Sequence, residues 1–240
     1  MSGEPILAVQ QLSAWYGAAQ ILYDVDLEIG RGEVVALMGR NGAGKSTALK
    51  SIMGLVVRRR GTVRFDGHEI SALEPYRIAR LGLGFTPEDR RIFSDLTVME
   101  NLDVGRQPAR ASARAVAWTP ERLFALFPNL AERRDHLGSQ MSGGEQQMLT
   151  VARTLMGNPL AVLLDEPSEG VAPLIVEQMA NTILELKQQG LSILLSEQNI
   201  HFAALVSDRV YVLEKGHIQW HGEIAALIDD SDLQRAFLTV

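Results

Sequence analysis

The chain has 240 residues, 46% hydrophobic and 22% charged, which suffices for one large domain, or a domain with a satellite, around a buried core. Its net charge of −6 argues against a dedicated nucleic-acid binder, which carries a basic excess. The absence of cysteine excludes disulfides, thiolate metal sites and cysteine nucleophiles, and fits a reducing compartment.

The N-terminal residues 1–7 lack the basic and apolar regions of a secretory signal. No apolar run approaches the roughly 18 residues needed to cross a bilayer, so a membrane role is expected only through a partner.

Residues 6–11 and 21–29 read as strands, the second with Val25, Leu27 and Ile29 alternating with Asp26 and Glu28. Between them stands Tyr16, beside Gly17. An aromatic in that setting is either core edge or a ring for stacking on a nucleotide base, and the spacing leaves both open. Residues 34–38 are a continuous apolar strand, as in a parallel sheet buried on both faces.

That strand runs into Gly39, Arg40, Asn41, Gly42, Ala43, Gly44, Lys45, Ser46 and Thr47, which match the phosphate-loop pattern G-x-x-x-x-G-K-[ST]. Glycines let backbone N–H groups wrap a phosphate chain, and the following helix turns its N-terminal dipole toward the anion. Lys45 is placed to reach the β- and γ-phosphates and the Ser46 hydroxyl to sit on Mg²⁺. The helix carries Leu49, Ile52 and Met53 on one side and ends near Gly54. Arg58, Arg59 and Arg60 read as a solvated basic turn into a strand over 62–65, with no chemistry assigned.

Residues 83–86 form a short strand closed by Pro87 and Glu88. From 97 to about 158 the pattern becomes mostly helical, with Arg106, Arg110, Arg114, Arg133 and Arg134 and sparse apolar positions, as in a helical insertion between two halves of an α/β sheet. Ser142, Gly143, Gly144 and Glu145 open a strongly patterned helix with Met148, Val151, Ala152, Leu155 and Met156 on one face. Ser142 and Glu145 have capping-box spacing. Two glycines in a first helical turn cost helix stability and suit a helix end that a phosphate approaches.

Residues 160–164 are a buried strand ending in Asp165 and Glu166, at the carboxyl edge where open α/β sheets bind ligands. An Asp there can hold Mg²⁺, and a second carboxylate suits a general base acting on water. A helix over 173–189 and a strand over 191–195 come next, the strand closed by Ser196, Glu197, Gln198 and Asn199. A hairpin around Lys215 and Gly216 is next, then two short helices over 224–238. His217 and His221 lie in a strand, lack partners for a metal site, and read as surface or core histidines.

In this order, the phosphate loop, the Ser-Gly-Gly-Glu helix start and the apolar run into Asp-Glu-Pro resemble the nucleotide-binding subunits of ABC transporters, over essentially the whole chain. Met141 stands where the family's signature usually has Leu. Within the family, residues 87–93, 141–148 and 196–199 look like the branched-chain amino acid uptake class, and the chain looks like the shorter of its two ATPases. The resemblance implies a P-loop NTPase core with a mostly parallel sheet, an antiparallel β subdomain and a helical signature subdomain. About 1–87 and 159–240 would form the core and about 88–158 the helical part. It implies ATP and Mg²⁺, Tyr16 stacking on adenine, and a head-to-tail dimer with a second ATPase subunit or with itself. In that dimer Ser142, Gly143, Gly144 and Glu145 serve the partner's ATP.

The resemblance also implies two transmembrane permeases, a solute-binding protein acting indirectly, no nucleic acid, and a peripheral place on the cytoplasmic face of the membrane. Glu166 takes the general base, Lys45 stabilises charge, and Ser46, Asp165 and Glu88 face the metal. Glu88 stands where most members have a glutamine, and Gln198 where most have a histidine that contacts the γ-phosphate. Both look typical of the subclass. Two alternatives remain: an ABC ATPase acting on nucleic acid or ribosomes, and an ATP-binding partner subunit with little hydrolysis of its own.

Overall fold

A computed structural model describes residues 4–109 and 117–237; Arg110, Arg114 and Leu238 lie outside them. Two sheets organise the chain. The first is antiparallel, in the order β2-β1-β4-β5, from β1 (Leu7–Tyr16), β2 (Ala19–Ile29), β4 (Arg58–Phe65) and β5 (His68–Glu69). The second, in the order β10-β9-β3-β8-β7-β6, uses β3 (Val34–Met38), β6 (Leu83–Thr86), β7 (Ala161–Asp165), β8 (Ser192–Glu197), β9 (Arg209–Glu214) and β10 (His217–Glu223). All its pairings are parallel except the β9–β10 hairpin.

Strands β3, β7 and β8 are buried along their whole length, and alternate residues feed different cores. Val35, Leu37, Leu163 and Leu194 join the core under the antiparallel sheet with α1 (Lys45–Ile52). Val34, Val162, Leu164, Ile193 and Leu195 join the opposite core, against α6 (Gly143–Leu155) and α7 (Pro173–Gln188). The period of two in a sheet covered on both sides is why residues 34–38, 161–164 and 193–195 are apolar without interruption.

The block expected to be poor in apolar positions has more core than its pattern suggests. Val98, Leu102, Trp118, Leu123, Phe127 and Leu130 are all buried, from α3 (Val98–Gly105), α4 (Pro120–Leu126), α5 (Pro128–Glu132) and the segments between them. They share one cluster with α6 and the sheet face, so short helices complete their core on a neighbour.

The expected basic turn is also corrected. Arg58, Arg59 and Arg60 lie within β4 and pair with Trp15, Ala14 and Ser13 of β1. Arg58 stacks over the Trp15 ring at 5.0 Å, and Arg59 donates to the carbonyls of Val56 and Ser71 at 2.8 Å each. Guanidinium groups with such partners sit in a strand at low cost, their stems covering apolar surface. Two short helices had no visible sequence pattern: α2 (Pro75–Leu81), which buries only Ile78, and α8 (Ile200–Val206), capped by the Asn199 side chain. The chain ends in α9 (Ile224–Asp229) and α10 (Ser231–Phe237). Among the described residues, no helix is long and apolar enough to cross a membrane.

Candidate active site

Strands β3, β7 and β8 end side by side, with Met38 opposite Glu197 and Asp165 opposite Ser196. The loops leaving these three strands therefore meet at one edge of the sheet. The loop after β3 turns into α1 through Gly44, whose φ of 111° and approach to Leu22 leave no room for a side chain. An open cleft of about 410 Å³ results, lined by Tyr16, Asn41, Gly42, Gly44, Lys45, Ser46, Thr47, Glu88, Glu166 and Glu169 among others.

Inside it, Lys45 Nζ lies 3.0 Å from Glu166 Oε1, with both side chains almost wholly buried. The same ammonium donates to the carbonyls of Gly39 at 2.8 Å and Arg40 at 3.3 Å. The Ser46 hydroxyl donates to Asp165 Oδ1 at 2.9 Å, and Ser196 Oγ donates to the same oxygen at 2.7 Å. The second oxygen of each carboxylate, Asp165 Oδ2 and Glu166 Oε2, is buried without a hydrogen-bond partner.

Glu166 has φ of 47°, unusual for a residue with a side chain. Its N–H donates to the Ser196 carbonyl at 3.1 Å, which fixes the backbone in this region. Non-glycine residues held there cluster at functional sites, because the surrounding structure must offset the strain.

Electrostatics separates the carboxyls. Burial opposes ionisation of Glu166, but the hydrogen bond with Glu169 and the Lys45 ammonium outweigh it and hold Glu166 below the usual range. Glu169 is pushed up to about 7, first by that hydrogen bond, then by burial and the charges of Glu166 and Glu88. Burial raises Asp165 despite the two serine hydroxyls. Such opposed shifts on adjoining acids are a mark of functional sites.

Glu169 is the cleft residue that the sequence pattern did not single out. Its only signal was a third carboxylate four residues after Asp165, in what reads as a polar turn.

The ABC transporter family profile matches residues 22–169. The chain belongs to that family. It is 41% identical over 233 residues to the high-affinity branched-chain amino acid transport ATP-binding protein BraG of Pseudomonas aeruginosa, covering 97% of this chain and 99% of BraG. It is 34% identical to the lipopolysaccharide export system ATP-binding protein LptB of Escherichia coli K12, over 97% of this chain and 96% of LptB. A solved ATP-binding cassette of an ABC transporter in its ADP conformation superposes with a TM-score of 0.80 at 26% identity, covering 97% of this chain and 98% of that one. The chain is thus a nucleotide-binding ATPase subunit of an ABC transporter, with ATP hydrolysis coupled to transport.

The remaining family motifs of this ABC ATPase lie away from the cleft. Ser142 caps α6: Glu145 N donates to its hydroxyl at 3.3 Å, while Ser142 N donates to Glu145 Oε2 at 2.7 Å. Arg133 pairs with Glu145 at 2.7 Å. The two signature glycines have tight neighbours within the chain. A Cβ on Gly143 would lie 2.7 Å from the Arg90 guanidinium, and one on Gly144 would lie 2.7 Å from Ile175 Cγ1. The Arg90 guanidinium is the end of a flexible side chain and can move aside, so close packing is a reason for glycine at Gly144, alongside the phosphate approach expected from the sequence.

Gln198 is exposed at the same sheet edge but is not among the residues lining the cleft, whereas Glu88 is. His217 stacks on Tyr23 at 4.7 Å between ring centroids, His221 lies tilted against Tyr211 at 5.4 Å, and neither joins a metal cluster among the described residues.

Proposed function

We propose that this ATPase powers uptake of branched-chain amino acids, or of related small amino acids and amides, through partner permeases. The observation that carries the catalytic reading is the meeting of Lys45, Ser46, Asp165 and Glu166 in one cleft at the carboxyl edge of β3 and β7. The solute class is supported by the similarity to BraG along almost the whole chain, and the inward direction by the resemblance of residues 87–93, 141–148 and 196–199 to the uptake class.

In this reading Tyr16 stacks on the base. The loop of Gly39, Arg40, Asn41, Gly42, Ala43, Gly44, Ser46 and Thr47 surrounds the phosphates with its free N–H groups, that of Ala43 being held by the Arg40 carbonyl. Lys45 leaves Glu166 for the β- and γ-phosphates and stabilises the charge that develops during transfer. Glu166, freed of its cation, accepts the proton of the attacking water. Gln198 donates a neutral hydrogen bond to the γ-phosphate, with no proton to exchange.

The residues present fit Mg²⁺. Asp165 has a buried, unpartnered oxygen, and the Ser46 hydroxyl already meets the other oxygen of the same carboxylate. Ser46 and Asp165, with Glu88 nearby, would hold the ion, which when bound neutralises phosphate charge.

Ser142, Gly143, Gly144 and Glu145 serve the ATP of the opposing subunit, a second ABC ATPase or another copy, in a head-to-tail dimer. The helical part, about 88–158, docks on the permeases, and the core, about 1–87 and 159–240, works at the cytoplasmic face of the membrane as a peripheral subunit.

The test is reconstitution of this chain with its permeases, its second ATPase and their solute receptor in vesicles, with ATP on the ATPase side. Labelled leucine should accumulate on that side, and the Glu166→Gln chain should abolish accumulation. Movement of solute away from the ATPase side would favour export, the direction named for LptB.

A further inference from the structure

Glu197 lies beneath the cleft. It is the last residue of β8 and only 1% exposed, so neither water nor a phosphate reaches its carboxylate as the cleft stands. Its two oxygens nevertheless accept three backbone hydrogen bonds. Oε1 accepts from Ser168 N at 3.1 Å, and Oε2 accepts from Gln198 N at 3.2 Å and Asn199 N at 3.3 Å.

These donors belong to two different segments. Ser168 sits between Glu166 and Glu169, in the stretch that carries both into the cleft. Gln198 and Asn199 form the turn into α8, and Asn199 caps that helix. Among the described residues no lysine or arginine forms an ion pair with Glu197, so backbone N–H groups, together with the Ser168 side chain, provide its direct stabilisation. A buried carboxylate without a cation is costly, and an apolar residue at this strand end would avoid that cost. The carboxylate instead provides two acceptor atoms, one for each segment.

We infer that Glu197 is a positioning residue for ATP hydrolysis: it ties the segment carrying Glu166 to the turn carrying Gln198 and fixes how the two approach the γ-phosphate. The inference rests on the proposed roles of Glu166 and Gln198. A glutamine at 197 can satisfy one segment with its oxygen, but its NH₂ then faces the N–H of the other, donor against donor. Glu197→Gln therefore frees one of the two segments while keeping size and burial.

The test compares full-length wild-type chain with Glu197→Gln, in the assembly in which the wild type hydrolyses ATP. Folding is followed by thermal unfolding and nucleotide binding by ADP titration. A displacement near 1 Å of a catalytic group costs up to about a hundredfold, so kcat should fall by at least about tenfold. ADP affinity and KM for ATP should stay within about twofold. If Glu197→Gln does not fold, Glu197→Asp, charged but one methylene too short to span both segments, should show the same split. A folded variant with wild-type kcat overturns the inference, as does an equal loss of nucleotide affinity and turnover.

Glu166→Gln, assayed in parallel, separates the two claims. Full turnover in Glu166→Gln with a kcat loss in Glu197→Gln removes the base assignment and leaves the coupling of the two segments standing. The reverse pattern removes the role of Glu197 alone.

Discussion

Lys45 uses all three of its ammonium donors inside its own chain: on Glu166 at 3.0 Å, Gly39 O at 2.8 Å and Arg40 O at 3.3 Å. A phosphate can be bound by this lysine only if at least one of those contacts is given up. The contact to Glu166 is the one whose loss also frees the carboxylate for a proton. Under the proposed function, loading the nucleotide and arming the base are the same rearrangement.

Removing one partner of this buried pair should be more harmful than neutralising the other. Lys45→Ala leaves the Glu166 carboxylate buried without its cation, and breaking such pairs costs about 3–5 kcal/mol. Glu166→Gln leaves Lys45 with two carbonyl partners and an amide oxygen, so its loss should be smaller. Urea unfolding of the nucleotide-free chain measures both, and equal stability of the two variants would contradict the ranking.

Glu166→Gln should also separate binding from chemistry. With the negative charge gone, ATP should bind at least as well as to wild type, while turnover should fall by about 10²–10⁴-fold, as expected for loss of a general base. Equilibrium ATP binding and steady-state phosphate release report the two halves. Undiminished release in Glu166→Gln would reassign the base.

The Glu166–Glu169 pair predicts a pH signature in stability. Glu169 sits at about 7 in the fold against an ordinary 4.5. Between these values the folded chain holds a proton that the unfolded chain has released. The contribution of Glu169 is therefore complete below about pH 4.5 and is lost as pH rises through 7. Glu166 shifts the other way, so its contribution is present at higher pH and is lost only as pH falls through its depressed value. Wild-type urea midpoints should decline between pH 4.5 and 7, Glu169→Gln should remove that decline, and an unchanged decline in the variant would place the titration elsewhere.

Packing around the signature start makes a separate prediction. Alanine at 144 would gain up to about 1 kcal/mol of helix propensity. It would also bring a methyl within 2.7 Å of Ile175 Cγ1, and overpacking of this kind costs about 1–3 kcal/mol. Gly144→Ala should therefore be net destabilising. The double variant with Ile175→Ala should be more stable than the sum of the singles, because the clash is gone. Additive losses would show that the two positions do not press on each other.

The sequence exposed those parts of the fold in which one physical requirement acts on every residue of a stretch. Residues 34–38, 161–164 and 193–195 had to be apolar on both faces, and the phosphate loop had to be rich in glycine, so both were legible. The arginines of β4 were not, because their strand depends on Trp15 and on the carbonyls of Val56 and Ser71, contacts that no local pattern encodes. Glu197 was read as part of a polar closing segment, yet it is the buried last residue of β8. Its stabilisation by N–H groups from Ser168 exists only once β7 and β8 are adjacent. The unusual backbone of Glu166 and the opposed shifts of Glu166 and Glu169 are tertiary for the same reason.

Tyr16 tests whether the cleft recognises a base as well as phosphates. It ends β1 at the cleft mouth with 52% of its surface exposed, so the core gains little from an aromatic there. Stacking of a base on such a ring is worth about 1–3 kcal/mol, so Tyr16→Ala should weaken ATP binding by about 5- to 150-fold, and Tyr16→Trp should restore it. Tripolyphosphate has no base, and its affinity should be the same in all three proteins if the ring acts only by stacking. A matching loss for tripolyphosphate would mean that Tyr16 instead shapes the loop of Asn41 and Gly42 beside it. Calorimetric titration of both ligands into the three chains decides between a ring that reads the base and one that supports the loop.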